Sequence, residues 1–239
     1  MHNMDTLDIE RIKGVIFDLD GVIFDIIDSI RQAVHDAVDK YKITVDIEDV
    51  LQEIAHLIED LQNYPVPKII LNSYELLKVK FLNGLTFFKK LRIGIYLFNQ
   101  FNKYKEDAGI FEGIDVIISG LSENKRLAIL TNNKKEHAED VLEKYNLKQY
   151  FESIFGFNEV EEVKPSPDGI LKIINQWNLR PSEVIFIGDM TSDVLAGKAA
   201  KVKMIAVASG LASKKALEEN NPDYIVDNTT ELKQLLKLG

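Results

Sequence analysis

Near its start, the chain reads GVIFDLDG over residues 14–21. The first four of these residues are apolar, and the run ends abruptly at Asp18. The pair Asp20-Gly21 then provides a turn signal. A short, continuous apolar run that ends in a turn predicts a strand buried on both faces, as in parallel sheets. One strand of this length cannot stand alone, so it has to join a sheet formed elsewhere in the chain.

The rest of that sheet is predicted in the second half of the chain, where strands alternate with helices. Strands are predicted over residues 126–130, 153–157, 184–187, 204–208 and 224–226. Helices are predicted over residues 136–145, 167–177, 192–200 and 231–238. This alternation is typical of the α/β class, so the sequence predicts a doubly wound parallel sheet in a Rossmann-like core.

The segment between the first strand and the others has a helical pattern instead. Apolar residues recur at helical spacing over residues 27–41 and 47–61, and Asp46 is a candidate N-cap for the second helix. The sequence YPVP at residues 64–67 breaks the pattern. Helical segments resume at residue 68, with interruptions predicted at Gly84 and Gly94.

These patterns predict two domains. Residues 1–24 and 109–239 form the catalytic core, and residues 25–108 form an α-helical cap inserted after the first strand. Aromatic residues are frequent in the later part of this cap, where they suit either its own core or a dimer interface. We therefore expect a monomer or a homodimer.

Composition narrows the possible functions. The 239 residues are 46% hydrophobic and contain no cysteine, which indicates a globular protein without disulfides or thiolate metal sites. The net charge of -9 argues against nucleic acid as a partner. No apolar stretch is long enough to cross a membrane, and the first residues do not resemble a signal peptide. We expect a cytoplasmic protein without a membrane partner. The four histidines share no metal-binding spacing.

Acidic and phosphate-binding residue types gather where the predicted strands end. Ligands of open α/β sheets bind at the carboxyl ends of the strands. The residues at three strand ends, and one in a loop between the second and third of them, are Asp18 with Asp20, Thr131 with Asn132, Asp189 with Asp193, and Lys164. Each has an ordinary explanation on its own, as a turn residue, a helix cap or a surface lysine. Their coincidence at one edge favours a common site.

The chemistry of these residue types suits phosphoryl transfer. Of Asp18 and Asp20, one can attack phosphorus and bind metal, while the other exchanges protons with the leaving oxygen and with water. Two carboxylates repel a phosphate dianion by roughly 4 kcal/mol per pair of charges 4 Å apart, so the site requires cations. Lys164 can provide one of them. Mg²⁺, held by Asp18 and Asp189, can provide the other.

Four short motifs, taken in order, resemble those of the haloacid dehalogenase superfamily. They are DLDGV at residues 18–22, TN at 131–132, KPSP at 164–167 and GDMTSD at 188–193. The sequence is most similar to the phosphoglycolate-phosphatase-like and β-phosphoglucomutase-like branches. The resemblance covers essentially the whole chain, and it implies that the helical insertion is a mobile cap that excludes water and selects the substrate.

The resemblance also implies a role for each motif residue. Asp18 corresponds to the nucleophile, and Asp20 to the general acid/base that also gives a backbone carbonyl to Mg²⁺. Lys164 steadies Asp18 and the phosphate. The remaining motif residues hold the phosphoryl group (Thr131 and Asn132), bind Mg²⁺ directly (Asp189) or bind its water ligands (Asp193).

We therefore predict a Mg²⁺-dependent phosphatase that hydrolyses small phosphorylated metabolites through an aspartyl-phosphate on Asp18. The alternative is a sugar-phosphate mutase of the β-phosphoglucomutase type, which would use the same two aspartates. A phospho-receiver module is less consistent with a nucleophile on the first strand. A non-catalytic binding protein is less consistent with the full set of acids.

Overall fold

A single parallel sheet organises the protein. The structure, a computed structural model, describes residues 7–61 and 82–238. The sheet has six strands in the order β3-β2-β1-β4-β5-β6, and all adjacent pairs are parallel. The strands are β1 (Gly14–Phe17), β2 (Arg126–Leu130), β3 (Ser153–Phe155), β4 (Val184–Gly188), β5 (Lys203–Val207) and β6 (Tyr224–Val226).

The first strand lies at the centre of the sheet, as its uninterrupted apolar run predicts. All four of its residues are buried, because β2 and β4 flank it and helices cover both of its faces. Phe17 lies opposite Ile129 on β2 and Ile187 on β4. This register brings the carboxyl ends of the three strands together, so the residues that follow them meet at one edge of the sheet.

Helices pack on both faces of the sheet. Six helices belong to this part of the chain: α4 (Ile114–Ser122), α5 (Lys135–Lys144), α6 (Asp168–Trp177), α7 (Thr191–Ala200), α8 (Lys214–Glu219) and α9 (Thr229–Leu235). Alternate strand residues point to opposite faces. Accordingly, Phe17 belongs to the core cluster under α4 and α5, whereas Ile16 belongs to the cluster under α6 and α7. The predicted doubly wound α/β fold is confirmed.

Three described helices form the insertion between β1 and β2. They are α1 (Ile27–Tyr41), α2 (Ile47–Leu61) and α3 (Phe87–Asp107). Polar contacts accompany the packing of α1 against α3: the Tyr104 hydroxyl donates to Asp36 Oδ2 over 2.6 Å, and Lys40 Nζ lies 3.8 Å from the centroid of the Tyr96 ring. The inserted helical cap of the predicted fold class is thus present.

The two linkers between core and insertion are bonded to each other. The Asp25 N–H donates to the Gly109 carbonyl over 2.9 Å, and the Phe111 N–H donates to the Ile23 carbonyl over 3.0 Å. The return linker is also tied to the core, because the Tyr145 hydroxyl donates to the Ala108 carbonyl over 2.7 Å. Both connections therefore leave the core as one joined segment.

Helix boundaries within the insertion test the detailed prediction. The Asp46 N-cap is confirmed, since its Oδ1 accepts the Glu48 N–H over 2.8 Å. Gly84 interrupts the helical pattern with a φ of 80°. The interruption predicted at Gly94 is wrong, because α3 continues through it. An interior glycine costs a helix about 1 kcal/mol, and burial of the neighbouring Ile93 side chain outweighs that cost.

Two predicted features fall outside the described residues, and two observed helices were not predicted. The break at residues 64–67 and the start of a helix at residue 68 lie outside the described residues. Helices α4 and α8 were not predicted, because they are short, with 9 and 6 residues. No helix within residues 7–61 and 82–238 is both long and apolar enough to cross a membrane.

Candidate active site

A buried ion-pair cluster lies at the carboxyl edge of the sheet. Asp18 follows β1 directly, Asp193 lies in the first turn of α7, and Lys164 comes from the loop between β3 and α6. Lys164 Nζ lies 2.8 Å from Asp18 Oδ1 and 2.7 Å from Asp193 Oδ1. The three side chains are at most 8% exposed, so one lysine is shared by two carboxylates in a low-dielectric environment.

Asp189 completes this cluster from the end of β4. Its Oδ2 accepts the Leu211 N–H from the loop after β5, over 2.7 Å. Glycines line the carboxylate on two sides, because a Cβ at either Gly21 or Gly210 would lie only 2.1 Å from Asp189 Oδ2. Residue 21 has a φ of 86°, which also favours glycine. We call Asp18, Lys164, Asp189 and Asp193 the buried end of the site.

The buried end has the donor set of a hard divalent cation. Asp18, Asp189 and Asp193 each offer an oxygen, and these atoms lie within 4.8 Å of one another. Asp189 Oδ1 is buried and accepts no hydrogen bond from the part of the chain that the structure describes. An orphaned carboxylate oxygen beside other carboxylate oxygens fits Mg²⁺, which prefers oxygen ligands. These residues could therefore hold the predicted metal.

The pKa values of the cluster also favour a bound cation. Burial raises the pKa of Asp18 to about 7, although Lys164 acts against it. Burial, together with the charges of Asp18 and Asp193, raises the pKa of Asp189 well above its usual range. Burial lowers the pKa of Lys164, but Asp18 and Asp193 outweigh it and raise the pKa overall. The lysine alone does not neutralise the three acids, so a further cation would stabilise their ionised forms.

Asp193 also caps helix α7. Its Oδ2 accepts the N–H of Asp189 over 3.1 Å and the N–H of Met190 over 3.0 Å. One oxygen therefore fixes the turn between β4 and α7, while the other faces Lys164. The capping explanation considered for this residue type is correct for Asp193, and it is compatible with a place in the ion cluster.

Thr131 and Asn132 lie after β2, beside the lysine loop. The Thr131 Oγ1 accepts the Asn133 N–H over 3.0 Å. The Asn132 side chain bonds the Lys164 backbone twice, donating to its carbonyl over 3.0 Å and accepting its N–H over 3.1 Å. Asn132 thus fixes the loop that presents Lys164. The structure brings every predicted site residue to this edge of the sheet.

Asp20 marks a second, more open end of the site. Asn133 Nδ2 donates to Asp20 Oδ2 over 2.9 Å. Lys105 Nζ, near the end of α3, and His137 Nε2, in the first turn of α5, each lie 3.6 Å from Asp20 Oδ1. Burial raises the pKa of Asp20, but His137, Lys105 and Asn133 outweigh it and hold the pKa below its usual range. We call Asp20, Lys105, Asn133 and His137 the open end.

Sequence reasoning missed three residues of the open end. His137 and Asn133 had a usable signal, because both belong to the loop and first helical turn that follow β2 at the predicted edge. Lys105 had none, since its position depends on how a helix of the insertion packs against the core. Within the open end, the place of Lys105 is therefore set by tertiary structure rather than by a local motif.

The fold and the site together define a class of protein. An acidic cluster with one lysine, at the carboxyl edge of a doubly wound sheet and beside an inserted set of helices, is typical of capped α/β enzymes that act on phosphoryl groups or related substrates.

Comparison with known proteins identifies the family. The chain belongs to the haloacid dehalogenase-like hydrolase family, whose sequence profile matches residues 15–207. It is 28% identical over 146 residues to the pyrophosphatase PpaX of Bacillus mycoides, covering 59% of this chain and 67% of that protein. It is 24% identical over 237 residues to the phosphoglycolate phosphatase of Escherichia coli, covering 96% and 94%.

Solved structures agree with this assignment. A haloacid dehalogenase-like hydrolase from Streptococcus pneumoniae superposes with a TM-score of 0.65 at 21% identity, covering 94% of this chain and 98% of that one. At this identity the likeness concerns the fold. The predicted superfamily, the phosphatase type of hydrolase and the capped α/β architecture are thus confirmed.

Proposed function

We propose that the protein is a Mg²⁺-dependent phosphatase that hydrolyses small phosphomonoesters through an aspartyl-phosphate on Asp18. The observation that carries the proposal is the shared ion pair at the buried end, with Lys164 between Asp18 and Asp193 and the free oxygen of Asp189 beside them. Relatives named pyrophosphatase and phosphoglycolate phosphatase support a small phosphorylated substrate.

In the first step, an Asp18 oxygen bonds to phosphorus while the bond to the leaving oxygen breaks. Lys164, the Thr131 hydroxyl and the backbone N–H of Asn132 bind the phosphoryl oxygens. Lys164 Nζ already lies 2.8 Å from Asp18 Oδ1, so it orients the nucleophile and keeps positive charge where the negative charge of the transition state develops. Asp20 supplies the proton that the leaving oxygen takes up.

In the second step, Asp20 takes a proton from water, and the water oxygen attacks the phosphorus of the aspartyl-phosphate. The bond to Asp18 breaks, which releases phosphate and restores the nucleophile. Helices of the insertion lie beside the open end, where they would limit access of bulk water.

The metal would be held by Asp18, Asp189 and the backbone carbonyl of Asp20. Asp193 would bind it either directly or through water. When bound there, Mg²⁺ would supply positive charge to offset the negative charge of the nucleophile and of the phosphoryl oxygens. Asp18 follows β1, Asp189 follows β4 and Asp193 lies in the first turn of α7, so the fold itself sets the spacing of these carboxylates.

The test is a phosphate-release screen with and without Mg²⁺. Its panel contains 2-phosphoglycolate, pyrophosphate, several sugar phosphates and β-glucose-1-phosphate. We expect Mg²⁺-dependent release by the native protein and a loss of more than about 10³-fold in Asp18→Asn, as for other removed nucleophiles. Asp25→Asn is the matched control, because Asp25 only caps the start of α1, accepting the Ile27 N–H over 3.1 Å, and asparagine can do the same.

Two results would contradict the proposal. Equal phosphate release by the native protein and Asp18→Asn would remove Asp18 as the nucleophile. Formation of glucose-6-phosphate from β-glucose-1-phosphate, without release of phosphate from any compound, would favour the mutase alternative.

A further inference from the structure

The open end contains two donor groups that no tight contact uses. Lys105 Nζ and His137 Nε2 both face Asp20 Oδ1 at 3.6 Å, beyond the usual length of a hydrogen bond. Neither Asp20 Oδ1 nor His137 Nε2 has a hydrogen-bond partner within the described ranges, residues 7–61 and 82–238. Lys164, by contrast, contacts its two acids at 2.7 and 2.8 Å. The donors of the open end therefore lack a close partner of the kind that Lys164 has.

Aromatic rings hold these two donors in place. Lys105 Nζ lies 5.8 Å from the centroid of the Phe24 ring and 5.7 Å from that of Phe101. The His137 ring packs edge-on against Phe24, with centroids 6.0 Å apart. Contacts with aromatic faces position a cation without neutralising it or occupying its N–H groups. Phe24 is itself buried, so Lys105 and His137 both pack against a ring that is held in place by the core.

The side chains that carry these donors are partly exposed, although the His137 Nε2 atom itself is covered. The side chains of Lys105 and His137 are 20% and 26% exposed, against 4% for Lys164. The two residues come from different parts of the fold, α3 of the insertion and α5 of the core. They flank Asp20 Oδ1 together, so they flank whatever binds next to that oxygen.

We propose that Lys105 and His137 bind an anionic group on the leaving part of the substrate, such as a carboxylate or a second phosphate close to the ester oxygen. The inference rests on the proposed function, in which Asp20 faces the leaving oxygen. A leaving group with its own negative charge is repelled by the carboxylates of the site. An ammonium and an imidazole N–H beside Asp20 offset that repulsion. A neutral leaving group gains nothing from them, so the pair selects acidic substrates.

The experiment compares two esters that differ only in this charge. The substrates are 2-phosphoglycolate and ethyl phosphate, which share the phosphate and a two-carbon chain but not the carboxylate. Both are assayed at saturating Mg²⁺ with the native protein, Lys105→Met and His137→Gln. We expect each substitution to lower kcat/KM for 2-phosphoglycolate about tenfold or more, mainly through KM, and to change that for ethyl phosphate less than about threefold.

Lys105→Arg is the conservative variant. It keeps the charge near the same place, so most of the activity on 2-phosphoglycolate should return relative to Lys105→Met. Pyrophosphate, with a phosphate as the anionic leaving group, should follow 2-phosphoglycolate across the variants. Equal losses on the charged and neutral esters would overturn the proposal, because the two residues would then serve Asp20 alone. Unchanged kcat/KM for 2-phosphoglycolate would overturn it as well.

A binding measurement separates this inference from the proposed function. Calorimetric titration of 2-phosphoglycolate and ethyl phosphate is performed on Asp18→Asn, with and without Lys105→Met. We expect 2-phosphoglycolate to bind more tightly and to lose that advantage when Lys105 is replaced. This preference supports the anion site even if the native protein releases no phosphate, a result that would count against the proposed function alone. Equal binding of the two esters overturns the inference even where the native protein is an active phosphatase.

Discussion

The two ends of the candidate site are held in opposite ways. At the buried end, Lys164 contacts two carboxylates at 2.7 and 2.8 Å, and every side chain is almost fully covered. At the open end, Lys105 and His137 stand 3.6 Å from one carboxylate and remain partly exposed. A fixed charge arrangement suits the group common to all phosphoesters, whereas loosely held donors suit the part of the substrate that varies.

The largest expected difference between the two ends is in stability. Lys164→Met leaves Asp18 and Asp193 buried without their shared cation, and breaking such a pair typically costs 3–5 kcal/mol, so we expect the free energy of unfolding to fall by about 3 kcal/mol. Lys105→Met, at the open end, should cost less than about 1 kcal/mol. Chemical denaturation in a chelating buffer measures both. Similar losses in the two variants would contradict the distinction between the ends.

The second expected effect concerns the metal ligand at the buried end. Gly210→Ala places a methyl group 2.1 Å from Asp189 Oδ2, so the carboxylate has to move away from its bond to the Leu211 N–H. Mutations beside metal ligands typically weaken affinity by about 10- to 100-fold, and we expect a loss of this size for Mg²⁺. The Mg²⁺ dependence of phosphate release and a direct Mg²⁺ titration both measure it.

The control for this substitution is Gly120→Ala. Residue 120 lies within α4, and an added Cβ would meet its nearest neighbour, Leu238 Cδ2, at an ordinary 3.4 Å. Alanine in a helix is also favoured over glycine. We expect unchanged Mg²⁺ affinity, and an equal weakening in both variants would show that the effect of Gly210→Ala does not arise at Asp189.

The smallest expected effect is a pH dependence of stability that Mg²⁺ removes. The pKa of Asp18 rises from an ordinary value of 3.8 to about 7 in the folded protein. Between these values the folded state binds more protons than the unfolded state, so without metal the free energy of unfolding falls as pH rises through this window. Stability from this group is fully present below the lower value and is lost above the upper one.

Mg²⁺ binds the ionised acids, so it should raise the unfolding temperature more at about pH 8 than at about pH 5. We expect the difference to be about 2–4 °C, the shift that one kcal/mol produces in a chain of this length. Thermal unfolding with Mg²⁺ or chelator measures it, and Asp18→Asn should show a flatter metal-free pH dependence. An Mg²⁺ effect of the same size at both pH values would contradict the shift assigned to Asp18.

The whole buried end was predicted from sequence, whereas Asp20 was the one residue of the open end that was predicted. Each buried-end side chain belongs to a short motif at a strand end or in the loop beside one, and the parallel register of β1, β2 and β4 brings these motifs together. The strand from Gly14 to Phe17 was recognised for the same reason, since its apolar run has no other stable place than the middle of a sheet. Lys105 carries no such signal, because only the packing of α3 against the core decides what it contacts.

The joined linkers have a mechanical consequence for the insertion. Two connections that are hydrogen-bonded to each other, and anchored to the core through Tyr145, cannot swing independently. A rotation of the insertion would therefore bend both connections at the same place. Helix α3 has 21 residues and so extends about 30 Å from it, while Lys105 lies at the near end. A displacement of the far end of α3 would therefore move Lys105, which is three residues from the linker, by only about a sixth of that distance.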